Sequence, residues 1–146
     1  MPCLFKAKVV DSSQMAFRFE FDAANKILLM RFEGRLTDES LAELYRAARK
    51  YSAATDASVG IFDSSPVTEF AVSNDAIRAL ARQEPAMPDA FRRPRFIVAP
   101  SKVGFGLARM FQMLGEPTRP LLSVVRTMDE VLAAIGIQSP HFEPLE

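Results

Sequence analysis

Chemistry in this chain, if it has any, is concentrated in a few short passages. Ser101 to Arg109, SKVGFGLAR, joins the end of an expected strand to the start of an expected helix. Unpaired backbone N–H groups and the positive end of the helix dipole favour an anion at such a junction. Gly104 and Gly106 permit close approach, Lys102 supplies a point charge, and Arg109, one turn into the helix, offers a forked donor for a carboxylate or phosphate. The simpler alternative is that the glycines only shape the turn and Arg109 pairs with a neighbouring acid. Asp63-Ser64-Ser65 ends a strand expected to be central, and ligands of open α/β sheets collect beyond the carboxyl ends of such strands. Asp63 either lines that edge or, with the serines, binds its own backbone as a turn residue.

Nucleophilic catalysis needs a base to take the proton. The one histidine, His141, lies in a proline-flanked tail, Pro140-His141-Phe142, so no triad is expected and no catalytic residue is assigned. The single cysteine, Cys3, cannot close an intramolecular disulfide, and one Cys with one His cannot furnish a structural zinc site. No Asp-x-Asp run, EF-hand loop, Walker loop or complete Gly-x-Gly-x-x-Gly fingerprint occurs, so neither a metal nor another cofactor is implied. Arg92, Arg93 and Arg95 form a small basic cluster beside Phe91 and Phe96. Because 18 Lys plus Arg balance 18 Asp plus Glu, the chain lacks the bulk field of a nucleic-acid binder, and the cluster is expected to be a solvated loop. The 12 Phe and 7 Met are mostly core by their spacing. Met110, Phe111 and Met113 belong to that core or line an adaptable cavity for an apolar ligand.

These residues need a scaffold, and the hydrophobic pattern supplies one. Phe17, Phe19 and Phe21 alternate with Arg18, Glu20 and Asp22, the period of a half-buried strand. After the polar break Asp22–Asn25, Lys26 to Glu33 reads as a second, more buried strand, so the two form a hairpin. Lys6 to Val10 adds a short strand before them. Gly34 interrupts the pattern. Thr37 followed by Asp38 and Glu39 then caps a helix whose apolar stripe is Leu41, Leu44, Tyr45, Ala48 and Tyr51. Val59 to Phe62 is a strand, and Ser73-Asn74-Asp75 opens a second helix carrying Ile77, Leu80 and Ala81. The prolines between Pro85 and Pro94 stop that helix, so Phe96 to Ala99 is a new strand. Leu107, Met110, Phe111 and Leu114 mark a third helix, with Gly115 placed for a left-handed C-cap. Leu121 to Val125 is the last strand. Thr127 and Glu130 have capping-box spacing for a final helix that ends at Gly136.

Helices that alternate with strands make right-handed crossovers between parallel neighbours. The expected architecture is therefore α/β, an open mixed sheet of about five strands with four helices packed on it. One layered domain spans 1–146, its core from about Lys6 to Ile137 and a loose tail after it. The start, MPCLFKAKVVDSS, lacks an apolar core of signal-peptide length, and no run approaches the roughly 20 apolar residues of a membrane span. A cytoplasmic location is expected. An edge strand leaves a homodimer open.

Three passages, ILLMRFEGRLTDESL, VGIFDSSPVTEF and RFIVAPSKVGFGLARMFQ, in this order of elements, resemble the SpoIIAA-like branch of the STAS fold, the domains of sulfate transporters and anti-sigma-factor antagonists. The resemblance covers Phe17 to Ile135, and the last passage is its most specific part. It implies a STAS-like sheet and a non-enzymatic switch or binding module. The antagonists of that family are phosphorylated on a serine at the start of the helix after a central strand, a position that corresponds to Ser73. There the family pattern Asp-Ser-Ser-Gly is replaced by Ala71-Val72-Ser73-Asn74, and the visible Asp63-Ser64-Ser65 falls about one motif too early. Ser73 is thus a candidate phosphorylation site by resemblance and a plain N-cap by its own chemistry. The branch also resembles the lipid-binding CRAL-TRIO domains in sheet layout. The expected function is binding of a protein partner, or of a small anionic or apolar ligand, at an edge formed by Asp63, Ser73 and the Lys102–Arg109 turn. A carrier of lipids or other apolar molecules is the alternative, and a phospho-switched antagonist the third.

Overall fold

The computed structural model describes residues 16–145, so the expected strand at Lys6–Val10 and Cys3 lie outside it. Strands β1 (Phe17–Asp22) and β2 (Ile27–Phe32) form the anticipated antiparallel hairpin, in register from Phe17 opposite Phe32 to Asp22 opposite Ile27. Asp22 makes the turn. Its carboxylate accepts from the Asn25 backbone N–H at 3.1 Å and the Asn25 side-chain amide at 2.8 Å.

Next come two elements that the sequence pattern did not disclose. β3 (Gly34–Thr37) and β5 (Val67–Ala71) pair in parallel as a separate two-stranded sheet. Gly34 leaves β2 at φ 99°, a left-handed conformation that suits glycine, and starts this smaller layer. Between the two lie α1 (Asp38–Ala54) and β4 (Val59–Asp63). Thr37 caps α1: its hydroxyl accepts from the Ser40 N–H at 3.1 Å, and its own N–H donates to the Ser40 hydroxyl at 3.0 Å.

The chain continues through α2 (Asn74–Arg82), β6 (Arg95–Val98), α3 (Lys102–Leu114), β7 (Leu122–Val125) and α4 (Met128–Ile135). Thr127 and Glu130 make the expected capping box, and Gly136 ends α4 at φ 73°. Gly115 does not take the left-handed conformation expected of it. It sits at φ −96° and ψ 6°, and its value there is space, because a Cβ would stand 3.0 Å from Nη1 of Arg119.

The segment after Gly136, expected to be loose, is tied down. Glu143–Pro144 forms β8 on the outer edge of β1, and the Leu145 N–H donates to the Phe19 carbonyl at 2.8 Å. The backbone N–H of His141 donates to Asp22 at 3.2 Å, so the hairpin turn also anchors this segment. Among the described residues the main sheet thus has six strands, in the order β7-β6-β4-β2-β1-β8, with β2, β4, β6 and β7 parallel. This exceeds the expected five by the tail strand, and the four helices are as expected.

Strand alternation divides the core. Ile27, Leu29, Ile61, Phe96 and Val98 face Val131 of α4 on one side. On the other, Phe19 and Leu28 pack with Leu44 and Ala48 of α1, near Ala57 and Met87. Among the described residues, no helix is long and apolar enough to cross a membrane.

Candidate functional site

The parallel strands β2, β4 and β6 run toward one rim, and the first residues of α1 and α3 follow closely on strand ends. Asp63 sits there at the end of β4, opposite Arg31 of β2. Its buried carboxylate accepts three hydrogen bonds: one oxygen from Arg31 Nε at 3.1 Å, the other from the Ser65 N–H at 3.0 Å and the Ser65 hydroxyl at 2.6 Å. Arg31 also reaches Glu20, 3.3 Å away. Ser64 donates its hydroxyl to the Val98 carbonyl at 2.8 Å and so stitches β4 to β6. These contacts fasten a turn and a strand pair.

Ser73 is the N-cap of α2 and is exposed. Its Oγ accepts from the Ala76 N–H at 3.0 Å and donates to the Asp38 carboxylate at 2.8 Å. Its neighbour is therefore the Asp38 carboxylate, and among the described residues no histidine or lysine hydrogen-bonds the hydroxyl. Lys102 is the exposed first residue of α3, where Ser101 caps the helix by accepting from the Gly104 N–H at 3.0 Å. Gly104 admits a neighbour, not a ligand: a Cβ there would lie 2.6 Å from the Phe70 ring of β5. Gly106 is open, with nothing within 4 Å of an added Cβ. Arg109 is exposed on α3 and donates to Gln112 at 2.5 Å, and among the described residues no acid pairs with it. Among the described residues, no hydrogen bond joins any two of these candidates. They do not form one hydrogen-bonded constellation.

A different place was missed in the sequence. Between the sheet and helices α1, α2 and α3 lies a cavity of about 160 Å³, partly open to solvent. Its walls are apolar, among them Met30, Leu44, Phe62, Ile77, Leu107 and Phe111. Of the expected apolar trio only Phe111 lines it; Met113 is 64% exposed. Among the described residues its charged lining residues are two arginines, with no Asp or Glu beside them.

Arg119 is 2% exposed. It donates to the carbonyls of Ala81 at 2.9 Å and Gln83 at 2.9 Å, reaches Leu80 at 3.4 Å, and binds the Tyr45 hydroxyl at 2.7 Å. It thereby closes the C-terminus of α2, where the helix dipole favours a cation. Its guanidinium also lies 4.8 Å from the centre of the Phe111 ring.

Arg95 differs from the solvated loop expected of its cluster. Arg92 is exposed and Arg93 donates to the Ala57 carbonyl at 3.0 Å, but Arg95 is the first residue of β6 and turns inward. Opposite it in register is Gly60 of β4, whose missing side chain leaves room for the arginine stem. Its Nε and Nη2 are shut off from solvent and have no hydrogen-bond partner among the described residues. Burial, and then the neighbouring Arg119 cation, lower the Arg95 pKa below its usual value.

No known family model matches this chain, and no curated protein does. Solved structures do. The chain is similar to the anti-sigma factor antagonist SpoIIAA in its unphosphorylated form, at TM-score 0.55 and 14% identity over 85% of this chain and 100% of the other. It is also similar to an anti-sigma factor antagonist from Mycobacterium paratuberculosis, at TM-score 0.58 and 15% identity over 82% and 92% of the two chains. A third likeness is to the Bacillus cell fate determinant SpoIIAA in its phosphorylated form, at TM-score 0.51 and 16% identity over 82% and 99%. The fold is SpoIIAA-like. In this scaffold the small β3–β5 layer joins the starts of α1 and α2.

Proposed function

We propose that this chain is a non-enzymatic regulatory module that binds a protein partner at the rim presenting Asp63, Ser73 and the Lys102–Arg109 segment. The observation that carries the proposal is the exposed Ser73 hydroxyl at the start of α2, bridged to Asp38 at the start of α1, on a SpoIIAA-like fold. The similar solved structures are of anti-sigma factor antagonists, which favours a regulatory partner over the CRAL-TRIO-like carrier. Lys102 and Arg109 are exposed on α3, where a partner's acids would find them without desolvating a buried pair. A cytoplasmic location belongs to the same proposal.

Absence of turnover is supported by the chemistry of the candidates. Asp63 fastens a turn and a strand pair, Ser73 caps a helix, His141 pairs with Glu143 in the C-terminal segment, and among the described residues no hydrogen bond joins the imidazole to a serine hydroxyl. The phospho-switch is a second reading, favoured by the exposure of Ser73 and its position at a helix N-terminus. A phosphate there gains the N–H groups of α2 but displaces the Asp38 bridge and repels its carboxylate.

The deciding experiment places a photo-crosslinking residue at Lys102, and separately at Arg46 on α1, in cells of the source organism. A discrete adduct from position 102 that is absent from position 46 supports the rim. Equal labelling at both sites refutes it. Steady hydrolysis of an ester or phosphate panel that vanishes in Asp63→Ala overturns the non-enzymatic reading.

A further inference from the structure

We infer that the cavity between the main sheet and helices α1, α2 and α3 is a binding site for a small, neutral, apolar molecule built on a single ring. This site is separate from the rim and does not rest on the regulatory reading.

The inference starts from two adjacent rows of side chains in the middle of the main sheet. Leu29 of β2 and Ile61 of β4 stand opposite one another, pack with Val131 of α4 and are 0% exposed. One residue further on, Met30 and Phe62, with Ile97 beside them on β6, turn to the other face and line the cavity. These three are only half-buried, although each of their strands has a neighbour on both sides. A central row beneath three helices would ordinarily be sealed, because native interiors keep few voids larger than a water molecule. Here it faces a space of about 160 Å³. Ala48 of α1 and Ala108 of α3 are buried wall residues, and their short side chains leave that space unfilled.

The walls set the class of ligand. They are mostly apolar, the usual composition of a small-molecule site. Phe62, Phe70 and Phe111 offer ring faces and edges, and the thioethers of Met30 and Met87 also favour contact with an aromatic ring. A closed apolar cavity of about 150 Å³ holds benzene, so this one takes a six-membered ring with a few added atoms. A lipid, with several times as many carbons, does not fit. Charge is disfavoured in both signs. The donors of Arg119 are taken up by the carbonyls that end α2 and by the Tyr45 hydroxyl, and the Nε and Nη2 edge of Arg95 is closed off from solvent. A carboxylate entering here would lose its hydration without meeting a free guanidinium fork, and an ammonium would meet two cations.

Calorimetric titration of the purified protein with toluene, benzoate and benzylamine tests this, because the three share a ring and differ in charge. Toluene is expected to bind saturably, with a Kd of about 1 mM or tighter, and each ion at least about tenfold more weakly. In methyl NMR spectra of the unaltered protein, toluene should shift the Cε resonances of Met30 and Met87. It should leave that of Met113, which is 64% exposed and outside the cavity, in place. Ala108→Leu puts side-chain volume into the space and should weaken toluene at least about tenfold. Absence of saturable toluene binding overturns the inference, as does benzoate or benzylamine binding as tightly as toluene. So does toluene that moves Met113 as much as Met30 and Met87, or an affinity that survives Ala108→Leu. The charge comparison and the methyl shifts use the unaltered protein, so they decide the matter even if the variant does not fold.

Discussion

Asp38, the first residue of α1, accepts from both the backbone N–H and the hydroxyl of Ser73, each at 2.8 Å, and so ties the start of one helix to the N-cap of another. The two helices belong to strands of the small sheet, β3 and β5, that run parallel and end side by side at Thr37 and Ala71. Parallel pairing brings the two helix starts together, and the acid at one then serves the other.

That geometry sets the first prediction. Ser73→Ala removes the cap and the Asp38 bridge together, and is expected to cost about 1–2 kcal/mol in urea unfolding. Ser73→Asp retains a capping oxygen but places a second carboxylate against Asp38. It should destabilise the unaltered protein, whereas in an Asp38→Asn background it should cost less than half as much. Equal costs in both backgrounds would show that the bridge is energetically idle.

The two glycines of α3 should respond in opposite directions. Gly104→Ala drives a methyl into the Phe70 ring, where contacts of 2.6 Å and 2.9 Å force α3 or β5 to shift. The expected loss is about 1–3 kcal/mol. Gly106→Ala meets nothing within 4 Å and lies inside a regular helix, so it should stabilise by about 0.5–1 kcal/mol. Thermal unfolding of the two variants side by side separates a packing role from a ligand role at this turn.

Asp22 gives a dependence on acid. Burial pushes its carboxyl up, but the side-chain and backbone hydrogen bonds from Asn25, with those from the His141 and Ala24 backbone, outweigh burial and hold its pKa below the ordinary value. A carboxylate depressed on folding contributes stability above its unfolded pKa of about 3.9, and loses it as pH falls through the folded value. The C-terminal segment should therefore be anchored at neutral pH and loosen only in acid below about pH 4. The amide resonances of His141 and Leu145 report this, and in Asp22→Asn their acid transition should disappear.

How much of this was legible in the chain depends on the range over which each feature is decided. Thr37, Ser73, Thr127 and Glu130 cap helices as their neighbours three residues on require, and the hairpin follows from alternating Phe17, Phe19 and Phe21. Those are local decisions. The β3–β5 pair was hidden because each strand is only 4 or 5 residues long and mostly half-buried, so neither shows a clear alternation. The tail looked loose because its partners, Asp22 and Phe19, are about 120 positions away, as the His141–Asp22 separation of 119 shows. Arg95 is the clearest case. It heads Arg95-Phe96-Ile97-Val98, whose three apolar residues carry no phase, and whether it faces in or out is decided by Gly60 on the adjoining strand. At the rim, residue types were read correctly but their roles turned on contacts such as Phe70 against Gly104, which spacing along the chain does not encode.

Arg119 differs from Arg95 in that its guanidinium donors are taken up by the end of a helix. Arg119 holds the carbonyls at the end of α2, across a separation of 38 residues in its bond to Ala81, and its own donors are satisfied by them. Arg119→Met would leave those carbonyls buried without donors and open the junction of α2, α3 and Tyr45. The expected cost is about 3 kcal/mol or more. Arg119→Lys should recover little of it, because one ammonium cannot span the carbonyls of Ala81 and Gln83 together with the Tyr45 hydroxyl as a planar fork does. Gly115→Ala, which crowds Nη1 at 3.0 Å, should produce a smaller loss of about 1 kcal/mol. Urea unfolding of the three variants ranks them. If Arg119→Met were as stable as the unaltered protein, the α2 terminus would have another donor, and the assignment of Arg119 to helix closure would fall.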